Sequence, residues 1–384
     1  MNKIFLYLIF GVFLHSCTAL QMFKQEEITL LEKGAEPIEW EQNKLIVSAQ
    51  VDGNKGKFLL DTGATTTVIF DTILMANFGN KQKGKLGRVR DAQKKTLDKT
   101  VLPVSFENGL AKATNKVVTY LPTAFNASKQ DCVTQSNRST DGIIGMDLYT
   151  STDKEYALFL NFSEGKIENV STRQNEKWLN DGFLEIKSKF SLHDQLYIYL
   201  ELNEKEYKFK FDTGFTSDIV LPFIENIHFQ VFTPTIVLGA NYSTLSGLTS
   251  GKRTYYYEKI PVKMNSFEFT SNIQLTENLS IYNLGILFIK QFDWIIDFKN
   301  HKVYARKNGL SSTSKIPSIN VNAYAEEGKL KIKMLGGSYL EKFPIGATIR
   351  SVNGEMVTSE NLCEKLAWIN QNKNWEDFDL EVEE

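Results

Sequence analysis

The apolar residues of this chain fall mostly in short, strand-length runs that are separated by glycine, asparagine and serine. Such runs, bounded by residues that favour turns, are typical of β-strands. Helical periodicity is confined to a few short stretches, of which residues 359–370 are one example. The pattern therefore predicts an all-β protein.

Three landmarks occur twice, in the same order and at similar spacing. The first is an apolar run that enters Asp-Thr-Gly and leads through a polar patch to a second β-branched run. The second is a glycine-containing apolar element, and the third is a hairpin with a tight polar turn. Their paired copies occupy residues 58–69 and 209–220, 142–148 and 282–288, and 160–167 and 296–303. Agreement at all three indicates an internal duplication.

The duplication divides the chain into units. A polar stretch at 172–181 connects the two copies, and a serine-rich segment at 310–318 separates the second copy from the remainder. The predicted domains are a signal peptide at 1–17, a first lobe at 18–175, a second lobe at 176–310 and a C-terminal module at 319–384.

Composition narrows the function classes. The chain has 384 residues, with 44 Lys and Arg against 46 Asp and Glu. That length suits two or three domains, and the near-neutral charge gives no electrostatic footprint for nucleic acid. Four His and three Cys leave little material for a multi-ligand zinc site. We therefore predict no metal, no cofactor and no nucleic-acid partner.

The N-terminus has the features of an export signal. Lys3 precedes an apolar run at 4–14, which is too short to span a bilayer but suits a signal-peptide core. The ending at 14–17 resembles a bacterial lipobox, which implies lipidation of Cys17 and a lipid anchor to the membrane. Ordinary secretion with cleavage near Ala19 is the alternative. Either route predicts export to the bacterial cell envelope, facing the periplasm or the cell surface, and no later apolar run is long enough to span.

Two cysteines remain after Cys17. Cys132 and Cys363 lie far apart in the sequence, which alone does not show whether they pair. We predict two buried free thiols.

The candidate chemistry lies in the duplicated Asp-Thr-Gly. An Asp at the end of a buried strand is costly unless it has a partner. A pseudo-two-fold association of the copies would bring Asp61 and Asp212 together, and Gly63 and Gly214 would allow a close backbone approach. Two adjacent carboxyl groups share one proton. One can then accept a proton from water while the other donates one to a substrate carbonyl. This arrangement predicts peptide hydrolysis without a covalent intermediate.

The two Asp-Thr-Gly copies with their downstream glycine elements resemble the aspartic proteases, specifically single-chain retropepsin-like enzymes, over residues 40–307. The resemblance implies a bilobal, pseudo-two-fold acid-protease fold with Asp61 and Asp212 as the catalytic dyad. It also implies that Thr62 and Thr213 form hydrogen bonds between the two loops.

The second copy departs from the family pattern at two positions. Phe215 stands where a small residue is usual, and Asn283 replaces an apolar residue. The alternative that these departures leave open is an inactive, peptide-binding relative in which the two loops act as a rigid pin between the lobes.

The family also carries hairpins that cover the substrate. Residues 239–251 are the predicted flap of the second copy, and residues 85–96 are its counterpart in the first. Plain surface hairpins are the alternative.

The C-terminal module has a different pattern. Residues 329–334 alternate like a half-exposed strand, and residues 337–355 resemble the core of a bacterial PDZ domain. The resemblance implies a small α+β domain with a helix at 359–370, Ser359 as its N-cap, and a groove that takes a peptide by strand addition. A docking domain without a peptide ligand is the alternative.

Together these features predict an exported, lipid-anchored aspartic endopeptidase that acts on a peptide or protein substrate. An inactive peptide-binding envelope lipoprotein is the first alternative. A purely structural envelope lipoprotein is the second, although it would leave the paired carboxylates unexplained.

Overall fold

The computed structural model describes residues 22, 24–91, 95–122, 131–132, 140–150, 155–192, 194–223, 229, 232–240, 242–245, 247–249, 251–310, 320–371 and 379–383. The predicted signal peptide, with Cys17, lies outside this set. Thirty β-strands and four short α-helices occur among the described residues. The prediction of an all-β protein is therefore confirmed.

The first copy contains twelve strands and two short helices, of which the second lies in the segment that connects the two copies. In chain order they are β1 (Glu27–Leu30), β2 (Ala35–Pro37), β3 (Glu39–Glu41), β4 (Lys44–Val51), β5 (Asn54–Leu60), β6 (Val68–Ile69), β7 (Gly84–Arg90), β8 (Thr96–Glu107), β9 (Ala111–Tyr120), β10 (Gly142–Ile144), α1 (Asp147–Thr150), β11 (Tyr156–Asn161), β12 (Lys166–Ser171) and α2 (Asn175–Asn180).

The first sheet has the strand order β1-β9-β6-β10-β5-β4-β8-β7, with β3 on β4. Strand β5 leads directly into the first Asp-Thr-Gly. Its Phe58 and Leu60 lie in the main core, whereas Leu59 belongs to a separate apolar cluster that also contains Ile143. Because side chains alternate along a strand, Leu59 and Asp61 project from the same face of β5.

The second copy contains thirteen strands and one short helix. They are β13 (Leu184–Glu185), β14 (Ser188–Phe190), β15 (Leu196–Leu202), β16 (Lys205–Phe211), β17 (Ile219–Pro222), β18 (Thr235–Gly239), β19 (Ser243–Thr244), β20 (Gly247–Leu248), β21 (Lys252–Met264), β22 (Phe267–Thr276), β23 (Asn283–Leu284), α3 (Ile286–Ile289), β24 (Phe292–Asp297) and β25 (Lys302–Lys307).

The strands around the second Asp-Thr-Gly repeat the pairings of the first. Strand β10 runs parallel to β5 and antiparallel to β6, and β23 runs parallel to β16 and antiparallel to β17. Each Asp-Thr-Gly thus follows a strand that is paired with the downstream glycine element of its own copy. The repeated sequence landmarks therefore fold into the same strand pairings in both copies.

A six-stranded sheet joins the two copies, in the order β13-β25-β24-β11-β12-β2. Its central pairing is β11 with β24, in which Leu160 lies opposite Trp294. The main hydrophobic cluster contains buried residues of both copies. Although the connecting segment is polar in sequence, its helix α2 buries Trp178, whose ring packs 5.3 Å from that of Tyr304.

The C-terminal module has its own hydrophobic cluster. Its elements are β26 (Val321–Glu326), β27 (Lys329–Gly336), β28 (Thr348–Val352), β29 (Glu355–Met356), α4 (Leu362–Gln371) and β30 (Leu380–Glu383). Helix α4 begins after the predicted N-cap Ser359, so that assignment is wrong. The Ser359 hydroxyl donates to Glu360 Oε1 at 2.9 Å, and Thr358 N donates to Asn361 Oδ1 at 2.7 Å in the turn before the helix.

The module continues the sheet of the second copy, whose strand order is β14-β15-β16-β23-β17-β22-β21-β18-β27-β28-β29. Strand β27 pairs antiparallel with β18, placing Leu238 opposite Leu335 and Gly239 opposite Met334. Nearby, Arg253 and Glu341 form an exposed ion pair at 2.6 Å. The segment at 310–318, predicted as a linker, thus separates two units whose strands share one sheet.

Cys132 and Cys363 form a disulfide with an S–S distance of 2.06 Å, so the prediction of two free thiols is wrong. The reason is a contact that the sequence does not reveal. Asp131 N donates to Ala325 O of β26 at 3.1 Å, and Gly328 N donates to Asp131 Oδ2 at 2.5 Å. These bonds hold the segment at 131–132 beside α4, which carries Cys363.

Within the described part of the chain, every helix is too short or too polar to span a membrane.

Candidate active site

The two Asp-Thr-Gly turns meet between the lobes and are joined by four hydrogen bonds. Thr62 N donates to Thr213 Oγ1 and Thr213 N donates to Thr62 Oγ1, both at 3.0 Å. The Thr62 hydroxyl donates to Phe211 O at 3.0 Å, and that of Thr213 donates to Leu60 O at 2.7 Å. Each buried hydroxyl both accepts and donates, so the threonines make the contacts that the resemblance implies.

Each glycine of the two turns packs against the carboxyl group of the other turn. A Cβ atom on Gly63 would lie 2.5 Å from Cγ of Asp212, and one on Gly214 would collide equally with Cγ of Asp61. Any larger residue would displace the opposite carboxyl group. The glycines therefore allow the approach that places the two carboxyl groups together.

The downstream glycine elements support the turns in matched fashion. Asp61 N donates to Ile144 O and Asp212 N donates to Leu284 O, both at 3.0 Å. Gly145 packs against the backbone of the first loop in the same way that Gly285 packs against the second. This support explains why the sequence repeats both elements.

The carboxyl group of Asp61 is buried against that of Asp212, and this environment raises its pKa. Burial raises the pKa of Asp61 to about 7, and the negative charge of Asp212 and a hydrogen bond between the carboxyl groups act in the same direction. The charge of Lys210 and the hydrogen bond from Gly63 N, at 2.7 Å to Asp61 Oδ1, oppose that shift. The raising effects outweigh the lowering ones, so the pKa of Asp61 lies above its ordinary value.

Two polar side chains of the second copy contact Asp212. Asp212 Oδ2 accepts a hydrogen bond from Asn283 Nδ2 at 3.0 Å and lies 3.5 Å from Lys210 Nζ. Burial lowers the pKa of Lys210, but the charges of Asp212 and Asp61 outweigh it, so the net shift is upward. The first copy has Leu59 and Ile143 at the equivalent positions.

Phe215, the bulky departure in the second copy, belongs to an apolar cluster with Val220, Tyr242 and Leu279. Its ring stacks on Tyr242 with the centroids 5.5 Å apart. The Tyr242 hydroxyl in turn donates to Gln274 Oε1 at 2.6 Å. Phe215 therefore packs the second Asp-Thr-Gly loop against the segment that contains Tyr242.

The two hairpins predicted as flaps meet at their ends. The first is formed by β7 and β8, and the second by β18 and β21, with the small β19–β20 ladder at its end. Thr244 Oγ1 of the second donates to Asp91 Oδ2 of the first at 2.7 Å. Leu245 packs against the apolar cluster of the first copy, as does Ala64, the residue after the first Asp-Thr-Gly. The second hairpin thus reaches across to the first lobe.

A buried ion network that sequence reasoning missed supports the first loop. Lys116 Nζ lies 2.5 Å from Glu26 and 2.7 Å from Asp147. Asp147 also accepts hydrogen bonds from Thr67 N at 3.0 Å and Thr67 Oγ1 at 2.8 Å. Burial lowers the pKa of Lys116, but the two carboxylates reverse the shift and raise it.

The roles of Lys210 and Asn283 were also missed. The family pattern identifies Asn283 only as a departure and gives no role to Lys210. Both residues can be identified by comparing the sequences of the two copies position by position. Across the described residues, no group of three or more His, Cys, Asp and Glu side chains is placed to hold a metal ion.

Comparison with known proteins supports an aspartyl-protease-like function. Residues 47–148, which contain the first Asp-Thr-Gly and its glycine element, match the family model "Aspartyl protease". Among solved structures, basic 7S globulin from soybean aligns with a TM-score of 0.39 and 9% identity, over 76% of this chain and 99% of that one. No curated protein matches the chain.

Proposed function

We propose that this protein is an exported aspartic endopeptidase that hydrolyses peptide bonds with a water activated by Asp61 and Asp212. The observation that carries the proposal is the pair of carboxyl groups that the cross-bonded threonines hold together, with the pKa of Asp61 raised to about 7. The match of the first copy to aspartyl proteases supports the same chemistry.

The geometry supports a two-proton mechanism. Water attacks the substrate carbonyl carbon as the charged carboxylate takes one of its protons, and the neutral carboxyl group gives its proton to the carbonyl oxygen. Collapse of the tetrahedral intermediate delivers a proton to the leaving nitrogen and breaks the C–N bond. The dyad finishes with the single shared proton with which it began, and no covalent enzyme intermediate forms.

The substrate in this proposal is an extended segment of a peptide or protein. The β7–β8 and β18–β21 hairpins, which touch through Thr244 and Asp91, would cover it. Covering the site excludes bulk water and strengthens the electrostatic interactions of the dyad. Entry of a chain requires these ends to separate.

Cleavage of a peptide library between pH 3 and 8 tests the proposal. We expect a bell-shaped dependence, because only the singly protonated pair is active. A transition-state mimic with a hydroxyl between the carboxyl groups should inhibit, whereas serine and metal reagents should not. Peptides that bind but are never cut would instead support the inactive binding protein, for which the departure at Phe215 is the sequence argument.

Export and anchoring form a second part of the proposal, which follows from the lipobox-like sequence around Cys17. Wild-type protein should partition with membranes, and Cys17→Ala should fail to mature to the same form. A fully soluble mature wild type would instead indicate ordinary secretion with cleavage near Ala19.

For the PDZ-like C-terminal module, the contacts favour docking over capture of a separate peptide. The outer edge of β26 already receives the N–H of Asp131 at Ala325 O, and the Asn370 amide bonds to both Ala323 N and Ala323 O. Strand addition would need to displace these groups. We expect unbiased C-terminal and internal peptide libraries to show no binding to the intact oxidised protein, and saturable binding would restore the peptide-ligand prediction.

A further inference from the structure

The two copies differ at one pair of neighbouring strand positions next to the dyad. In the first copy Leu59 of β5 lies opposite Ile143 of β10. In the second copy Lys210 of β16 lies opposite Asn283 of β23 in the same parallel register. An apolar pair on one side of the pseudo-two-fold axis is thus replaced by a cation and an amide on the other.

Both replacements converge on one oxygen atom. Asn283 Nδ2 donates to Asp212 Oδ2 at 3.0 Å, and Lys210 Nζ lies 3.5 Å from the same atom. In the first copy, the equivalent Leu59 and Ile143 pack together in an apolar cluster and offer no donor to Asp61. The two carboxyl groups of the dyad therefore have unequal surroundings.

The amide at Asn283 is costly as a packing residue. The side chain is fully buried, and among the described residues its Oδ1 has no hydrogen-bond partner. An unsatisfied buried acceptor destabilises a fold, and isoleucine occupies the equivalent site without that cost. The Nδ2 donation to Asp212 is what the amide offers that isoleucine cannot.

We infer that Lys210 and Asn283 are positioning residues that hold the negative charge on Asp212 and leave the shared proton on Asp61. The inference rests on the proposed function and assigns the roles of base and acid, which the proposed mechanism does not distinguish. Asp212 is the general base that takes the proton from water, and Asp61 is the acid that gives its proton to the substrate carbonyl.

The other charged and titratable groups near the dyad do not reverse this assignment. Asp61 and Asp212 face each other, and Lys210 is the cation that acts on both. Tyr197 of β15 lies opposite Lys210 across the strand pair and acts on it. Lys208 lies over the Tyr197 ring, 4.7 Å from its centroid, so that its charge is directed to the ring.

The duplication provides the test variants. Lys210→Leu and Asn283→Ile each introduce the residue of the first copy, and the double variant makes the two sides alike. Lys210→Arg restores the cation. Lys205→Leu removes an exposed cation from the beginning of the same strand and serves as the matched control.

The measurement is a carboxyl-carbon NMR titration of protein labelled at aspartate, with the dyad signals assigned from Asp61→Asn and Asp212→Asn. In the wild type, we expect Asp61 to be the group that titrates near neutral pH. Removing the cation disfavours both the singly and the doubly charged pair. In Lys210→Leu and the double variant, the pH at which the pair loses its first proton should therefore rise by about one unit. That is about tenfold in the acid constant. Lys210→Arg and Lys205→Leu should titrate like wild type.

Two results would overturn the inference. One is a set of titration curves that do not change in Lys210→Leu, Asn283→Ile or the double variant. The other is assignment of the neutral-pH titration to Asp212. Because NMR needs no substrate, its outcome is separable from the proposed function. Shifted titrations in a protein that cuts no peptide would retain the charge assignment and reject the peptidase. Unshifted titrations in an active enzyme would reject the assignment alone.

Discussion

Thr62 and Thr213, which are 151 residues apart in sequence, each donate a backbone N–H to the side-chain oxygen of the other at 3.0 Å. The reciprocal bonds make one rigid unit from two loops that belong to different copies. Neither copy alone can complete this unit, because the backbone groups that bond to each threonine hydroxyl lie in the other copy. The dyad is therefore a product of the duplication.

Removing the Thr213 hydroxyl should destabilise the protein. In Thr213→Ala, the buried Thr62 N–H and Leu60 carbonyl both lose their partner. We expect a loss of about 1–3 kcal/mol in the free energy of unfolding, measured by urea denaturation. Thr213→Ser keeps the hydroxyl and should lose much less. Equal stability of the alanine and serine variants would show that the cross-bonds contribute little.

The buried network at Lys116 should be among the most sensitive sites in the first lobe. Lys116→Met leaves Glu26 and Asp147 buried without their cation, and we expect a loss of about 3–5 kcal/mol in unfolding free energy. Lys112→Met, at an exposed position of the same strand, should change stability by no more than about 0.5 kcal/mol. Similar losses in the two variants would contradict the role given to the network.

Stability should fall as pH rises through the neutral range. The folded-state pKa of Asp61 is about 7, above the reference value of 3.8. A group whose pKa is raised by folding contributes stability that is fully present below its unfolded pKa and is lost as pH rises through its folded pKa. Unfolding free energies between pH 4 and 8 should therefore decline in the wild type. Asp61→Asn, which has no proton to lose, should remove that part of the slope. A slope that Asp61→Asn leaves unchanged would assign the loss to other groups.

The disulfide should stabilise the attachment of the C-terminal module. Cys132 and Cys363 close a loop of 231 residues, so Cys132→Ser with Cys363→Ser should lower unfolding free energy by about 2–4 kcal/mol. Wild type with reductant should behave like the double variant, and the double variant should not respond to reductant. Unchanged wild-type stability in reductant would show that the strand pairing of β18 with β27 holds the module without the disulfide.

Much of the fold and part of the site can be predicted from the sequence. The strand-length runs and the three landmarks that occur twice are local patterns. They lead to the all-β architecture and to the meeting of Asp61 with Asp212. The disulfide cannot be predicted this way, because it depends on Asp131 reaching the edge of β26. The roles of Lys210 and Asn283 depend on register between strands about 70 residues apart, which no local pattern contains.

The rate of peptide cleavage by wild type, Asp61→Asn and Asp212→Asn tests the central claim most directly. An amide cannot exchange the shared proton, so each variant should lose essentially all hydrolysis, about 1,000-fold or more, while remaining folded by circular dichroism. Both must fail, because the proposed mechanism uses one carboxyl group as base and the other as acid. An Asp212→Asn variant that cleaves as fast as wild type would show that the second copy takes no part in the chemistry and would contradict the account.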